Sequence, residues 1–160
     1  MSDRLESGTA PRVQSPRQWA ALSLPSEANP ATPLEVDVIY TTPHETLAAM
    51  ALAAALAMKL DAEINLLALQ VVPYQLELTR PPVRVEYLEN RFRRLASHSP
   101  IETRVRIVLC RDQLQALRSA LKPHSLVVIG AGRRWWPTPQ KKLARRLRQD
   151  GHHVFLAPSK

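Results

Sequence analysis

Cysteine is all but missing from this 160-residue chain: Cys110 stands alone. A single thiol excludes an intramolecular disulfide framework and any zinc site built from several cysteines. Long apolar runs are missing too. The longest uncharged stretch of note, Thr46 to Met58, has 13 residues against the roughly 20 that a membrane-spanning helix needs. The N-terminal Met1-Ser2-Asp3-Arg4-Leu5-Glu6 is polar and carries no apolar run of the secretory kind, so the expected location is the cytoplasm. Catalytic patterns are equally scarce. Histidines stand at 44, 98, 124, 152 and 153, and the one adjacent pair would point to opposite faces of a strand, so no metal spacing arises. The serines lack a nucleophile-elbow context and the carboxylates form no inward-facing pair. Cys110 closes an apolar segment and reads as a buried, inert thiol. The expected protein is therefore not an enzyme.

What remains is ordinary globular material. Apolar residues make up 45% and charged residues 22%, enough for one packed domain of common size. The net charge of +8 is unevenly placed. Residues 1–33 carry three bases and three acids, residues 34–100 six and eight, and residues 101–160 thirteen and three. Between Arg133 and Arg148 lie seven cations and no acid. Such a patch concentrates anions of any class, whether nucleotide, nucleic acid, lipid headgroup or acidic protein.

Five prolines among serines and threonines fill residues 1–33, which read as a disordered tail. Only Trp19-Ala20-Ala21-Leu22-Ser23-Leu24 offers a docking segment. A folded domain is expected over 34–160. Val36 to Tyr40 predicts a strand. Thr42, Pro43 and Glu45 then predict a helix start, with Thr42 as N-cap and Glu45 closing a capping box, and a helix to about Leu60. Seven alanines between Ala48 and Ala57 leave that helix almost without a polar face, so cover on two sides is expected, from the sheet and from a neighbouring helix or subunit. Ile64 to Val72 predicts a central strand. After a loop from Pro73 to Pro82, the spacing of Val85, Leu88, Phe92 and Leu95 predicts a second helix with a Glu89–Arg93 surface pair. Thr103 to Leu109 predicts an edge strand. Asp112 caps a helix with the stripe Leu114, Leu117 and Leu121, and Leu126 to Ile129 predicts a buried strand running into a turn at Gly130-Ala131-Gly132. A cationic helix from Lys141 to Gln149 and a strand from Val154 to Ala157 close the chain.

Five strands alternating with four helices imply an α/β fold, a Rossmann-like, doubly wound parallel sheet. Its ligand crevice lies where the winding reverses, beyond Tyr40 and beyond Ile129. Over residues 34–158 the pattern resembles the universal stress proteins, on the first strand and alanine-rich helix, on Arg111-Asp112-Gln113-Leu114-Gln115-Ala116-Leu117 leading to His124-Ser125-Leu126-Val127-Val128-Ile129-Gly130, and on a closing strand from His153 to Pro158. The resemblance implies strand order 3-2-1-4-5, a homodimer formed through the last strand, and, in one branch, ATP held between the first and fourth strands. That branch has an acid after the first strand and a G-x2-G-x9-G-[ST] run after the fourth. Here Tyr40-Thr41-Thr42 lacks the acid, and counting from Gly130 the later glycine positions are Arg133 and Leu143. No cofactor is expected. The crevice candidates are Thr41, Thr42, Gly130, Gly132, Arg133 and Arg134, the arginines offering an alternative anion contact. Trp135 and Trp136 with Lys141, Lys142, Arg145 and Arg146 form the expected surface for an unidentified protein partner or a second subunit. Two other readings stay open: a basic surface that holds nucleic acid or another anionic partner, and an ATP-binding or ATP-hydrolysing protein of the same fold.

Overall fold

The computed structural model describes residues 33–133 and 136–159. The tail expected over residues 1–33 lies outside them except for Pro33, as do Arg134, Trp135 and Lys160. The chain joins the sheet at once: the carbonyl of Leu34 accepts a hydrogen bond from Glu63 N–H at 2.8 Å. The elements are β1 (Glu35–Ile39), α1 (Pro43–Leu60), β2 (Glu63–Val71), α2 (Val85–Ala96), β3 (Thr103–Cys110), α3 (Gln113–Ala120), β4 (Leu126–Gly132), α4 (Pro139–Gln149) and β5 (His153–Ser159). Five strands pair in parallel in the order β3-β2-β1-β4-β5; the sequence pattern predicts the parallel sheet and the family resemblance implies its order.

The period of two along each strand divides the core into two layers. Val36 and Val38 of β1 join Ile64, Leu66 and Val128 beneath α1 and α2, where Ala49, Met50, Ala53, Leu88 and Phe92 cover them. Ile39, Leu67, Val127 and Ile129 point the other way, beneath Leu117, Leu121, Ala144 and Leu147 of α3, α4 and the α3 cap. Central strands covered on both faces must be continuously apolar, which is why β1, β2 and β4 read as they do. β3 is an edge strand with a half-buried face. Leu114, expected in the buried stripe of α3, is only half-buried, while Leu117 and Leu121 are buried.

Three boundaries differ from the sequence reading. Gly130-Ala131-Gly132 is not a turn; it stays in β4 because it pairs in register with Ala157-Pro158-Ser159 of β5. The same pairing extends β5 to Ser159. α4 starts at Pro139 instead of Lys141, since Thr138 is its N-cap and accepts from Lys141 N–H at 3.4 Å. α1 lies on β1, β4 and β5 and touches α2, yet Leu47, Ala51, Ala55 and Met58 are exposed in the single chain. No helix among the described residues is long and apolar enough to cross a membrane.

Candidate functional site

The winding reverses between β1 and β4, and two helices begin just beyond those strands with the same device. Thr42-Pro43 opens α1 and Thr138-Pro139 opens α4, each threonine being an extended N-cap and each proline occupying the first turn, where a missing N–H costs nothing. The space between the two starts is filled from within. Glu45 sits in the first turn of α1, and its carboxylate receives three hydrogen bonds. Gly132 N–H donates to Oε1 at 3.2 Å, and Gln140 Nε2 and the Thr42 hydroxyl each donate to Oε2 at 3.1 Å. The Thr42 hydroxyl oxygen in turn accepts from Glu45 N–H at 3.3 Å. Glu45 therefore does not close the expected capping box onto the backbone N–H of Thr42. It ties α1 to the end of β4 and to the first turn of α4.

Gly130 is fixed by the same contact. A β-carbon there would stand 1.9 Å from the Glu45 carbonyl oxygen and 2.4 Å from its carbon, so the absence of a side chain is what lets the first turn of α1 lie against β4. At Gly132 a β-carbon would meet only Glu45 Oε1, at 3.7 Å. Thr41 lies at the crevice with its hydroxyl buried and without a hydrogen-bond partner among the described residues. Its N–H donates to Thr46 Oγ1 at 3.2 Å.

The other sequence candidates are spread along one rim. Thr42, Gly132 and Glu45 meet at the crevice, and Arg133 beside them is exposed. Arg134 and Trp135 lie outside the described residues. Trp136 is exposed, as are Lys142, Arg145 and Arg146 on α4, while Lys141 is half-buried. Arg148 is spent on the fold: its Nε and Nη2 donate to Val154 O at 3.2 and 2.7 Å.

The titratable groups with displaced pKa values stand elsewhere. Burial raises the Asp37 carboxyl above its ordinary value, against the lowering effect of the hydrogen bond from Asn65 Nδ2 to Oδ1 at 3.3 Å. Burial likewise raises the Cys110 thiol, with the Asp112 charge adding to it, and lowers His152, whose Nδ1 is 3.1 Å from Ser125 Oγ. Among the described residues no three of His, Cys, Asp and Glu converge as metal ligands. Among the described residues the crevice holds one carboxylate, that of Glu45, amid neutral donors. Sequence reasoning missed Glu45 and Gln140 as crevice residues, because their bonds span 87 and 95 positions and only the local capping role of Glu45 shows in the sequence.

No protein-family model and no curated protein matches the chain. Solved structures do. A protein from the universal stress protein family of Burkholderia pseudomallei superposes with a TM-score of 0.50 and 17% identity, over 78% of this chain and 96% of that one. A universal stress protein in complex with cAMP superposes with a TM-score of 0.50 and 11% identity, over 81% of this chain and 100% of that one. With five parallel strands in the order 3-2-1-4-5 and helices on both faces, the chain has the fold of the universal stress proteins.

Proposed function

We propose that this protein is a non-enzymatic binding or regulatory module on the universal stress protein fold, acting through protein contacts and not through a nucleotide in the β1–β4 crevice. One observation carries the reading: the Glu45 carboxylate takes the Gly132 N–H where an anionic ligand would need that donor. A phosphate entering there would meet a like charge and lose a backbone hydrogen bond, each unfavourable in a partly buried crevice. The Glu45 carbonyl also occupies the space in front of Gly130. Counted from Gly130, Arg133 and Leu143 stand at the spacing at which the ATP-binding branch would carry glycine. The residues present therefore do not fit ATP, and the cAMP named for one structural neighbour is not carried over. Calorimetric titration of nucleotide-stripped protein with ATP and with cAMP, each at two salt concentrations, tests this. No saturable heat is expected. Micromolar stoichiometric binding that survives salt would overturn the reading, and turnover abolished by Arg133→Ala with Arg134→Ala would establish the enzymatic alternative.

The contact surface we propose for a second copy is apolar. Leu47, Ala51 and Met58 share one exposed flank of α1, and Phe155 is exposed on the same face of the sheet, in register with Val128 beneath α1. Strand-to-strand pairing suits β5 poorly. His153 N–H bonds to Ser125 O of the β4 side, so alternation turns residues 154, 156 and 158 to the open edge. There Arg148 occupies the Val154 carbonyl and Pro158 has no N–H, both devices that blunt an edge. Side-chain burial is the better basis for a homodimer. Trp136, with Lys141, Lys142, Arg145 and Arg146, is the surface we assign to a protein partner.

A second reading, nucleic acid on the basic surface, rests on the absence of any acid in α4 between Pro139 and Gln149. Fluorescence anisotropy with a labelled single-stranded 20-mer separates it: affinity falling steeply with salt supports it, and no binding at low salt removes it.

A further inference from the structure

The seam between α1 and α2 holds a cleft of about 360 Å³, on the helical side of Tyr40 and separate from the Glu45 crevice. Its floor is aromatic. Tyr40 follows β1 directly and meets Phe92 edge-on, with ring centroids 4.8 Å apart. Tyr87, exposed for 62% of its surface, forms a wall. Its polar rim comes from Tyr87, Asn90, Arg91 and Arg94 on one face of α2, with His98 just past the helix end, its Nδ1 2.8 Å from Arg94 O.

Charge on α2 is sorted by face. Arg93 is paired with Glu89 at 3.7 Å, whereas no described carboxylate forms an ion pair with Arg91 or Arg94. Among the described residues no acid lines the cleft. Arg91 is held at the mouth, its Nη2 donating to Tyr40 Oη at 2.9 Å with the guanidinium 5.8 Å above the ring. The bond leaves the other guanidinium N–H groups for a ligand. An aromatic floor beside two guanidiniums, an amide and an imidazole, with no counter-charge, is complementary to one ligand chemistry. A planar body stacks on the rings while an acidic group takes the forked donors. The volume lies at the small end of the range for ligand pockets, which excludes a large cofactor.

We infer that this cleft is a binding site for a small organic anion with a planar body, carrying a carboxylate or a phosphate monoester. It is independent of the crevice reading and would supply a regulatory protein with its chemical input.

The probes are phenyl phosphate and benzoate, followed by amide chemical-shift perturbation of the isotope-labelled full chain, with inorganic phosphate and benzyl alcohol as arms that lack the body or the charge. Saturable shifts centred on residues 40, 87, 91 and 94 are expected for phenyl phosphate or benzoate, with a dissociation constant on the order of a millimolar for so small a ligand. The two probes tell phosphate from carboxylate, and both control arms are expected to bind at least about tenfold more weakly. Arg94→Gln and Tyr87→Ala alter exposed side chains that the fold does not use, and each should weaken binding roughly tenfold with an unchanged spectrum elsewhere. Shifts scattered over the surface, equal response to inorganic phosphate, or undiminished binding by both variants would overturn the inference. The ATP and cAMP titrations read the crevice and the phenyl phosphate and benzoate titrations read this cleft, so failure here and failure of the crevice reading are read separately.

Discussion

Gly130 and Gly132 are two residues apart in one strand, and their neighbours treat them differently. At Gly130 a methyl group would overlap the Glu45 backbone, and neither strand nor helix can retreat without opening the core. Gly130→Ala should cost about 3 kcal/mol or more, at or beyond the upper end of ordinary overpacking. Gly132→Ala meets only a side-chain oxygen at ordinary contact distance and should stay within about 0.5 kcal/mol. Urea midpoints of the two variants check this, and equal losses would mean that the contact with the Glu45 backbone does not set the cost at Gly130. Asp37 gives a second prediction. Burial raises its pKa, so the folded chain holds the proton to a higher pH than the unfolded chain does. Stability is then complete below the ordinary value of 3.8 and falls as pH rises through the raised one. Asp37→Asn keeps an acceptor for Asn65 and removes the ionisation. It should raise the urea midpoint at neutral pH and flatten the decline that sets in above about pH 4; a decline of wild-type size in the variant would locate the pH dependence in another group.

Among the elements, those with a full hydrophobic period were legible from the sequence, and those set by distant partners were not. α1 follows from Thr42-Pro43 and its apolar run, and α2 from Val85, Leu88 and Phe92, because those signals are local. The end of β4 depends on β5, which is more than twenty residues away in the chain, so Gly130-Ala131-Gly132 looked like a turn. The start of α4 was legible in Thr138-Pro139, a repetition of the Thr42-Pro43 pair, and was hidden by the stronger cationic pattern from Lys141 onward. The loop after β2 shows a similar long-range dependence. Arg111, just past β3, donates to Val72 O at 2.8 Å, to Pro73 O and to Leu76 O at 2.7 Å, and its guanidinium stands 5.2 Å above the Tyr74 ring. One side chain thus gathers carbonyls that no strand partner takes. Arg111→Ala should release the loop and speed limited proteolysis by chymotrypsin after Tyr74, several-fold at native conditions. Unchanged cleavage rates would show that the loop is held by something other than Arg111.

At the scale of the molecule, the question is what covers the outer flank of α1. A helix with alanine on nearly every side gains little from solvent on any of them, and α2 covers only part of what the sheet leaves. Met58 is 72% exposed and Phe155 is 43% exposed in the single chain, a cost with no return inside one subunit. A second copy meeting this flank would bury both side chains. Phe155→Glu with Met58→Glu places two charges in that contact; the change at Met58, mostly exposed in the monomer, should alter monomer stability by no more than about 0.5 kcal/mol, and that at Phe155, more than half covered by its own chain, should cost about 1 kcal/mol. Sedimentation velocity across a hundredfold concentration range should show the wild-type chain as a dimer and the double variant as a monomer, with matching circular dichroism. A wild-type monomer at every concentration would leave the flank to a different protein. A dimer that survives both charges would return the interface to β5, and Pro158 and the Arg148-held carbonyl would then have to be accommodated within the strand pairing.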